Sequence, residues 1–146
     1  MAYDLTTSLD DIVEWADERV VYVEKEGPFQ QTAKACWDEL HQQEHAKKAT
    51  KFFAVYKLKP APIYAACCTT TTADHGRVVP KHKYCRFVLK GEYKHLPEAC
   101  GKVFEIFGRQ KQHVVDEDAW YVEHYASDPK TTPGRDLITE ILVPIK

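Results

Sequence analysis

The sequence predicts an α+β fold in which a strand-helix-strand-strand module occurs twice, and three patterns support this prediction. The two halves of the chain share a weak repeat with an offset of 64 residues, which aligns Gly27 with Gly91 and Cys36 with Cys100. Several segments alternate apolar and polar residues, which is typical of half-buried strands. Two other segments carry apolar residues at the spacing of one helix face. Together these patterns predict two modules related by a pseudo-twofold axis.

The first module is expected at about residues 12–72. Val21 and Val23 alternate with polar neighbours and predict a strand that ends at Gly27. The apolar spacing then changes to that of a helix. The predicted elements of this half are strands at 11–15, 19–26, 52–56 and 63–68, and a helix from Phe29 to about His45 with an apolar stripe of Ala33, Cys36, Trp37 and Leu40.

The second module is expected at about residues 83–146, so that residues 1–146 form a single domain. Pro97 suits the first turn of a helix, and Gly108 suits its C-terminal end. We expect residues 73–83 to link the two modules. The predicted elements of this half are strands at 84–90, 120–125 and 137–143, and a helix with a stripe of Leu96, Cys100, Val103, Phe104 and Phe107.

Composition and charge exclude several functional classes. The chain has 20 Lys and Arg against 22 Asp and Glu and no block of basic residues, so no direct nucleic-acid binding is expected. No apolar segment is long enough for a membrane span and no secretory signal is apparent, so we expect a cytoplasmic protein without membrane contact. The five cysteines form an odd number and fit free, mostly buried thiols.

One motif raises the question of a metal site, because His41, Glu44 and His45 match the H-x-x-E-H pattern of inverted zinc proteases. Polar neighbours such as Gln42 and Gln43 surround it, and the macrodipole favours histidine near a helix C-terminus anyway. We therefore interpret the motif as a solvated helix end and expect no metal. No glycine-rich nucleotide motif or cysteine-histidine metal signature occurs, so no cofactor is expected.

The segment with the most unusual chemistry is the predicted strand 120–125, whose period of two places Tyr121, Glu123 and Tyr125 on one face. One carboxylate flanked by two phenols fits either an exposed sheet face or a ligand pocket. Because two helices cover one face of the joined antiparallel sheets, we expect the opposite face to form a central ligand groove that contains these side chains. The helix stripes are then expected in the core, with Trp37, Leu40, Phe104 and Phe107 as their large members and Trp120 packed under a helix.

The motifs that suggest a family are Gly27-Pro28-Phe29, Gly91-x-Tyr93, Glu123-x-Tyr125, Asp128-Pro129-x-Thr131-Thr132-Pro133 and the segment 139–145. With them, the chain resembles the GyrI-like small-molecule-binding family, which includes the effector-binding domains of AraC-type and MerR-type multidrug regulators. The resemblance extends from about Ile12 to Lys146. It implies two modules around a central groove for amphipathic or cationic ligands, with the glutamate of the E-x-Y pattern, here Glu123, in the groove.

Three functions follow from this resemblance for a stand-alone member. The first is a sensor or sequestering protein that binds an aromatic cation, with Glu123 as anchor, Tyr121 and Tyr125 as walls, and Tyr56 and Tyr22 as further contacts. The second is a hydrolase that opens strained cyclopropane rings in electrophilic toxins, with Glu123 as general base and Tyr125 positioning the leaving group. The third is an inhibitor that binds a protein target, as gyrase inhibitors do, and a homodimer is also open. No helix-turn-helix segment is found, so direct transcriptional control is not expected.

Overall fold

The fold is an open antiparallel sheet with helices on one face, seen in a computed structural model that describes residues 3–70 and 77–146. The predicted α+β class is confirmed. The strands are β1 (Asp4–Leu5), β2 (Ile12–Trp15), β3 (Glu18–Glu26), β4 (Phe52–Lys57), β5 (Ile63–Thr69), β6 (Arg77–Val79), β7 (His82–Lys90), β8 (Tyr121–Tyr125) and β9 (Ile138–Pro144). The α-helices are α1 (Phe29–His41), α2 (Glu44–Lys48) and α3 (Leu96–Arg109).

Two matching halves meet in the middle of the sheet. The order β3-β5-β4 of the first half continues into β8-β9-β7 of the second, and each of these neighbouring pairs is antiparallel. The junction is the β4–β8 pair, where Val55 lies opposite Val122. A pseudo-twofold axis at this junction relates the two strand-helix-strand-strand modules.

The glycine turns at the ends of β3 and β7 have the same geometry. Gly27 and Gly91 have φ angles of +134° and +153°, a backbone conformation that favours glycine. The Gly27 N–H donates to the Pro62 carbonyl, and the Gly91 N–H donates to the Leu137 carbonyl, both at 2.9 Å. Pro62 lies just before β5, which pairs with β3, and Leu137 lies just before β9, which pairs with β7. The turn therefore fixes the start of each helix relative to the sheet.

The sheet has a core on each of its faces. On the helix face, buried residues of α1 and α3 such as Leu40 and Val103 form one cluster with sheet residues such as Phe87 and Ile141. The opposite face carries a second buried cluster of Val20, Phe53, Val55, Ala65, Cys67, Val79, Tyr84, Val122 and Leu142. Trp15 of β2 folds over this second cluster, with its ring 5.2 Å from that of Phe53. Cys67 and Cys68 accordingly point to opposite faces.

Several predicted boundaries were wrong. α1 ends at His41 rather than near His45, and α3 runs through Gly108 to Arg109. A Cβ at Gly108 would meet no atom within 4 Å, so this glycine occupies an ordinary exposed helical position. The segment predicted as a linker contains β6, which is too short to show a period of two and is held by pairing with β3. The rest of that prediction, up to residue 76, lies outside the described residues.

Four of the five cysteines are buried and all five are free, as predicted; Cys100 alone is partly exposed. No helix in the described ranges is long and apolar enough to cross a membrane.

A polar network crosses the opposite face of the sheet. His124 Nδ1 lies 2.6 Å from Glu140 Oε1, and the Arg86 guanidinium donates to Glu140 Oε2 at 2.9 Å and to Asp11 at 3.0 Å. The hydrogen bond with His124 is the main cause that lowers the pKa of Glu140, against the opposing effect of burial. Ionised Glu140 therefore stabilises the folded state.

We expect Glu140→Gln to lower the free energy of unfolding at pH 7 by about 1–3 kcal/mol, the usual range for hydrogen bonds to a charged group. In the wild type this contribution is fully present above the unfolded carboxyl pKa of about 4.3 and is lost as the pH falls through the lower folded value. Urea unfolding at pH 7 and pH 3 should therefore show a smaller difference between the two proteins at pH 3. A difference of the same size at both pH values would mean that the charge of Glu140 is not involved.

Candidate functional site

Glu123 lies at the centre of the sheet, on its helix face. It is on β8, with Ala54 of β4 beside it on one side and Ile141 of β9 on the other. α1 packs on β3 and β5, and α3 packs on β7, so the two helices stand apart over the two halves of the sheet. β4 and β8 lie between these two halves of the sheet and carry Ala54 and Glu123 on the helix face.

The expectation that Tyr121, Glu123 and Tyr125 lie on the face away from the helices is therefore wrong. Cys100 of α3 contacts Glu123, with 3.5 Å between Sγ and Oε2. Trp37 of α1 contacts Tyr125, with ring centroids 5.3 Å apart. The carboxylate thus sits between the two helices rather than behind them, because each helix covers only its own half of the sheet.

A chain of polar contacts links α1 to α3 through this carboxylate. The Trp37 indole N–H donates to the Tyr64 hydroxyl at 2.8 Å, and the Tyr64 and Tyr125 hydroxyls are 3.4 Å apart. The Tyr125 hydroxyl donates to Glu123 Oε1 at 3.4 Å, and the Cys100 thiol donates to Oε2. We call Trp37, Tyr64, Cys100, Glu123 and Tyr125 the helix-face site.

The Glu123 carboxylate has no positive partner among the side chains that the structure describes. Desolvation raises its pKa, and the hydrogen bonds from Cys100 and Tyr125 oppose that rise only in part. Burial and the nearby Glu123 charge raise the pKa values of Cys100 and Tyr125 as well, so both groups stay protonated and act as donors. Glu123 nevertheless keeps some accessible surface.

Aromatic rings surround this carboxylate. Tyr56 of β4 and Tyr121 of β8 are stacked, with centroids 5.3 Å apart and ring planes 14° from parallel. Phe104 of α3 packs edge-on against Tyr121 at 5.7 Å, and Tyr93 packs edge-on against Tyr125 at 5.5 Å. Such a setting can accept a flat or multi-ring apolar ligand and offers ring faces to a cation.

The structure brings together four of the five predicted site residues, namely Tyr56, Tyr121, Glu123 and Tyr125. Tyr22 is not among them, because it lies on the other face of the sheet, where the Arg77 guanidinium sits 4.0 Å from its ring centroid. Tyr22 therefore does not share a site with Glu123.

Other site residues were misplaced or missed by the sequence reasoning. Trp37 and Phe104 were expected in the core, but both are only partly buried and contact the tyrosines of β8. Cys100 and Tyr64 were missed as site residues. The sequence held one indication for Cys100: it lies four residues before Phe104, so the two side chains share a helix face. Trp120 does not pack under a helix, since it lies with the cluster on the opposite face.

The H-x-x-E-H motif does not lie on one continuous helix. α1 ends at His41, and Glu44 begins α2. The His41 ring packs between Trp37 and Phe52, at 5.7 Å from each. The side chain of His45 lies outside what the structure describes. Within the described residues, no cluster of three or more His, Cys, Asp or Glu side chains is arranged to hold a metal ion.

Solved structures with this fold are similar over nearly the whole chain. The EcmrR C-terminal domain matches with a TM-score of 0.70 at 16% identity, covering 100% of this chain and 99% of that one. In the EcmrR–DNA complex the match covers 58% of the EcmrR chain. SAV2435 bound to tetraphenylphosphonium matches with a TM-score of 0.68 at 18% identity, covering 100% and 94%. The integron cassette protein VCH_CASS2 of Vibrio cholerae matches with a TM-score of 0.68 at 17% identity, covering 92% and 94%.

No curated protein matches the chain in sequence. At these low identities, the structural matches establish the fold alone. The sequence profile of the GyrI-like small molecule binding domain, however, matches residues 11–146, which include both modules and the helix-face site. The chain therefore belongs to the GyrI-like family of small-molecule-binding domains.

Proposed function

We propose that this protein binds a lipophilic aromatic cation in the helix-face site, with the Glu123 carboxylate as its counter-charge. The observation that carries the proposal is a largely desolvated carboxylate, without a cationic partner in the described part of the chain, among aromatic side chains. Buried charges in proteins are normally paired, because an unpaired one is costly. A cationic ligand would supply the missing charge.

The surroundings favour an aromatic cation over a small inorganic one. Oxygen-rich clusters bind metal ions, whereas Glu123 is flanked by Cys100, Tyr125 and the ring faces of neighbouring tyrosines. Each ring face adds about 0.5–2 kcal/mol of cation–π attraction in a desolvated site. A diffuse organic cation also loses less hydration free energy than a metal ion on leaving water.

We expect access to the carboxylate to require a side-chain movement. Trp37 and Tyr93 both pack against Tyr125, which in turn donates to Glu123. The described ring contact of Tyr93 is with Tyr125, whereas Trp37 also packs on His41 and Phe52 and donates to Tyr64, so we expect Tyr93 to be the side chain that moves. The site therefore suits ligands of varied shape.

Titration with two probes of one shape and opposite charge tests this proposal. Tetraphenylphosphonium, the ligand of the SAV2435 structure, is the cationic probe, and tetraphenylborate is its anionic match. We expect saturable binding of one phosphonium per chain by calorimetry, with the borate at least about 100-fold weaker because Glu123 repels it. Equal affinity for both ions would show that only apolar contact is at work and would contradict the proposal.

The pH dependence follows from the direction of the Glu123 pKa shift. Protonation of Glu123 removes the counter-charge, so phosphonium affinity should fall as the pH drops through the raised pKa, by up to about tenfold per pH unit below it. An ordinary glutamate has a pKa of about 4.3. The phosphonium affinity should therefore begin to fall at a pH above the one at which an ordinary glutamate becomes protonated. Calorimetry between pH 4 and pH 8 measures this. A constant affinity over that range would exclude Glu123 as the counter-charge.

A hydrolase that opens strained electrophilic rings is the second candidate, and the Tyr125–Glu123 contact favours it. A carboxylate with a raised pKa is a better general base at neutral pH, and an adjacent phenol can donate a proton to a leaving group. The measurement is chromatography of a cyclopropane-containing alkylator incubated with the protein. Time-dependent conversion to the ring-opened, hydrated product supports the hydrolase, and unchanged alkylator with saturable binding supports the sensor.

A further inference from the structure

A cavity lies on the face of the sheet opposite to the helix-face site. It is half-open, has a volume of about 330 Å³, and is lined by Lys57, His82, Tyr84, Asp116, Asp118 and Trp120 among others. Lys57 ends β4, and His82 and Tyr84 belong to β7. The loop that supplies Asp116 to Trp120 is fastened to the end of β9, because the Asp116 N–H donates to the Pro144 carbonyl at 2.9 Å. The lining residues are therefore held in place by β4, by β7 and by the loop that is hydrogen-bonded to β9. We call it the opposite-face cavity.

Charges of both signs line this cavity without being fully paired. The Lys57 ammonium lies 4.7 Å from the Trp120 ring centroid and makes no ion pair with a carboxylate in the described part of the chain. His82 Nε2 is buried and lacks a hydrogen bond there, although Asp116 Oδ2 lies 3.4 Å away. Asp118 is exposed at the rim, and its side chain contacts no described partner. Asp116 Oδ1 already accepts the Asp118 N–H at 3.1 Å, so the Asp118 carboxylate is the one without a described side-chain partner. Among the described side chains, the cavity thus offers one unpaired ammonium, Lys57, and one unpaired carboxylate, Asp118, with Asp116 beside it.

The walls of the cavity are apolar and aromatic. Tyr84 is 1% exposed and Trp120 is half-buried. The volume is near the lower end of the range of about 300–1,000 Å³ for small-molecule pockets, which fits one aromatic ring with a short polar group. The Trp120 ring carries two cations, the Lys57 ammonium at 4.7 Å and the Arg77 guanidinium at 4.9 Å from its centroid. Arg77 is ion-paired with Glu24, so a ligand ring would replace the unpaired Lys57 ammonium and free it for a stronger partner.

We infer that the opposite-face cavity binds an aromatic α-amino acid in its zwitterionic form. The ligand carboxylate pairs with Lys57, its ammonium group pairs with Asp116 and Asp118, and its ring packs against Trp120. A ligand with one charge alone would leave groups of the other sign unpaired, so the zwitterion is favoured over either single ion. This site is separate from the helix-face site, since the sheet lies between them.

The three indole N–H signals of Trp15, Trp37 and Trp120 in a ¹H–¹⁵N spectrum distinguish the two sites, after assignment by single Trp→Phe substitutions. L-phenylalanine should shift the Trp120 signal in a saturable manner and leave the Trp37 signal unchanged. Tetraphenylphosphonium should do the reverse if the proposed function holds. The two proposals can therefore fail independently.

Two analogues of L-phenylalanine test the requirement for both charges. Phenethylamine lacks the carboxylate and 3-phenylpropionate lacks the ammonium group, and each should bind at least about tenfold more weakly than L-phenylalanine. Lys57→Met should weaken L-phenylalanine binding by about tenfold or more, while the exposed control Lys59→Met should not. Asp118→Asn, at an exposed rim position, should also weaken binding and provides the test if Lys57→Met does not fold.

Three results would overturn the inference. One is no shift of the Trp120 signal at about 10 mM L-phenylalanine, which corresponds to negligible affinity. Another is equal binding of either single-charge analogue. The third is a shift of Trp37 together with a loss of L-phenylalanine binding in Glu123→Gln, which would place the amino acid in the helix-face site.

Discussion

Glu123→Gln should weaken tetraphenylphosphonium binding by about 2–5 kcal/mol, which corresponds to a factor of roughly 30 to several thousand in Kd. The amide keeps the shape of the side chain and removes its charge, so the ring contacts around the site stay in place. The variant should not lose folding stability at pH 7. Desolvation already disfavours the ionised carboxylate, and a neutral amide avoids that cost. Calorimetric titration and thermal unfolding of both proteins measure the two effects.

Glu26→Gln is the matched control. Glu26 is an exposed glutamate at the end of β3, so this variant has the same charge change away from the helix-face site. It should bind the phosphonium as the wild type does. Unchanged affinity in Glu123→Gln would remove Glu123 from the ligand site. A variant that binds a cyclopropane alkylator normally but no longer converts it would instead favour the hydrolase.

The two-module fold was predictable because its signals are local in sequence. The 64-residue offset aligns Gly27 with Gly91, and both glycines have positive φ angles and equivalent hydrogen bonds in the structure. The alternation around Glu123 was also sufficient to place Tyr121 and Tyr125 on its face. β1 and β6 were missed because segments of two and three residues carry no period and depend on pairing with distant strands.

Which face of the sheet carries the site was not predictable in this way. The period of two sorts side chains into two sets, but only the positions of α1 and α3 decide which set lies between the helices. The wrong face expected for Glu123 also explains why Tyr22 was grouped with it. Tyr22 alternates with Val21 and Val23, which lie on the helix face in the structure, so Tyr22 lies on the other face, where Glu123 was expected.

The helix stripes gave a related ambiguity. An apolar stripe looks the same whether it faces a sheet or the edge of a groove, and residues at the border of the stripe can do either. Leu40 and Val103 are fully buried, whereas Trp37, Cys100 and Phe104 are partly exposed and contact side chains of β8. These contacts form only in the assembled fold, so the sequence pattern could not show them.

Phe87→Ala and Phe104→Ala should separate the core from the ligand site. Phe87 is 0% exposed on β7 and packs edge-on against Phe107 of α3 at 5.9 Å. Its truncation leaves a cavity in the helix-face core and should cost about 3–5 kcal/mol of unfolding free energy. For a chain of this length, that corresponds to a fall in Tm of roughly 10 °C or more. Phosphonium binding by the folded fraction should change little, because Phe87 does not contact the helix-face site.

Phe104→Ala should lower phosphonium affinity clearly while costing less folding stability than Phe87→Ala. Phe104 is partly exposed, and its described ring contact is with Tyr121, so we expect a loss of only about 1–2 kcal/mol in stability. Tyr121 would lose the ring that holds it against Tyr56, and the ligand would lose one apolar wall. Phosphonium affinity should therefore fall by about five- to thirtyfold, equivalent to one aromatic contact. Urea unfolding of both variants measures the loss of stability, and calorimetry measures the loss of phosphonium affinity. If Phe104→Ala lost as much stability as Phe87→Ala and kept full affinity, Phe104 would belong to the core and the groove would have to end short of α3.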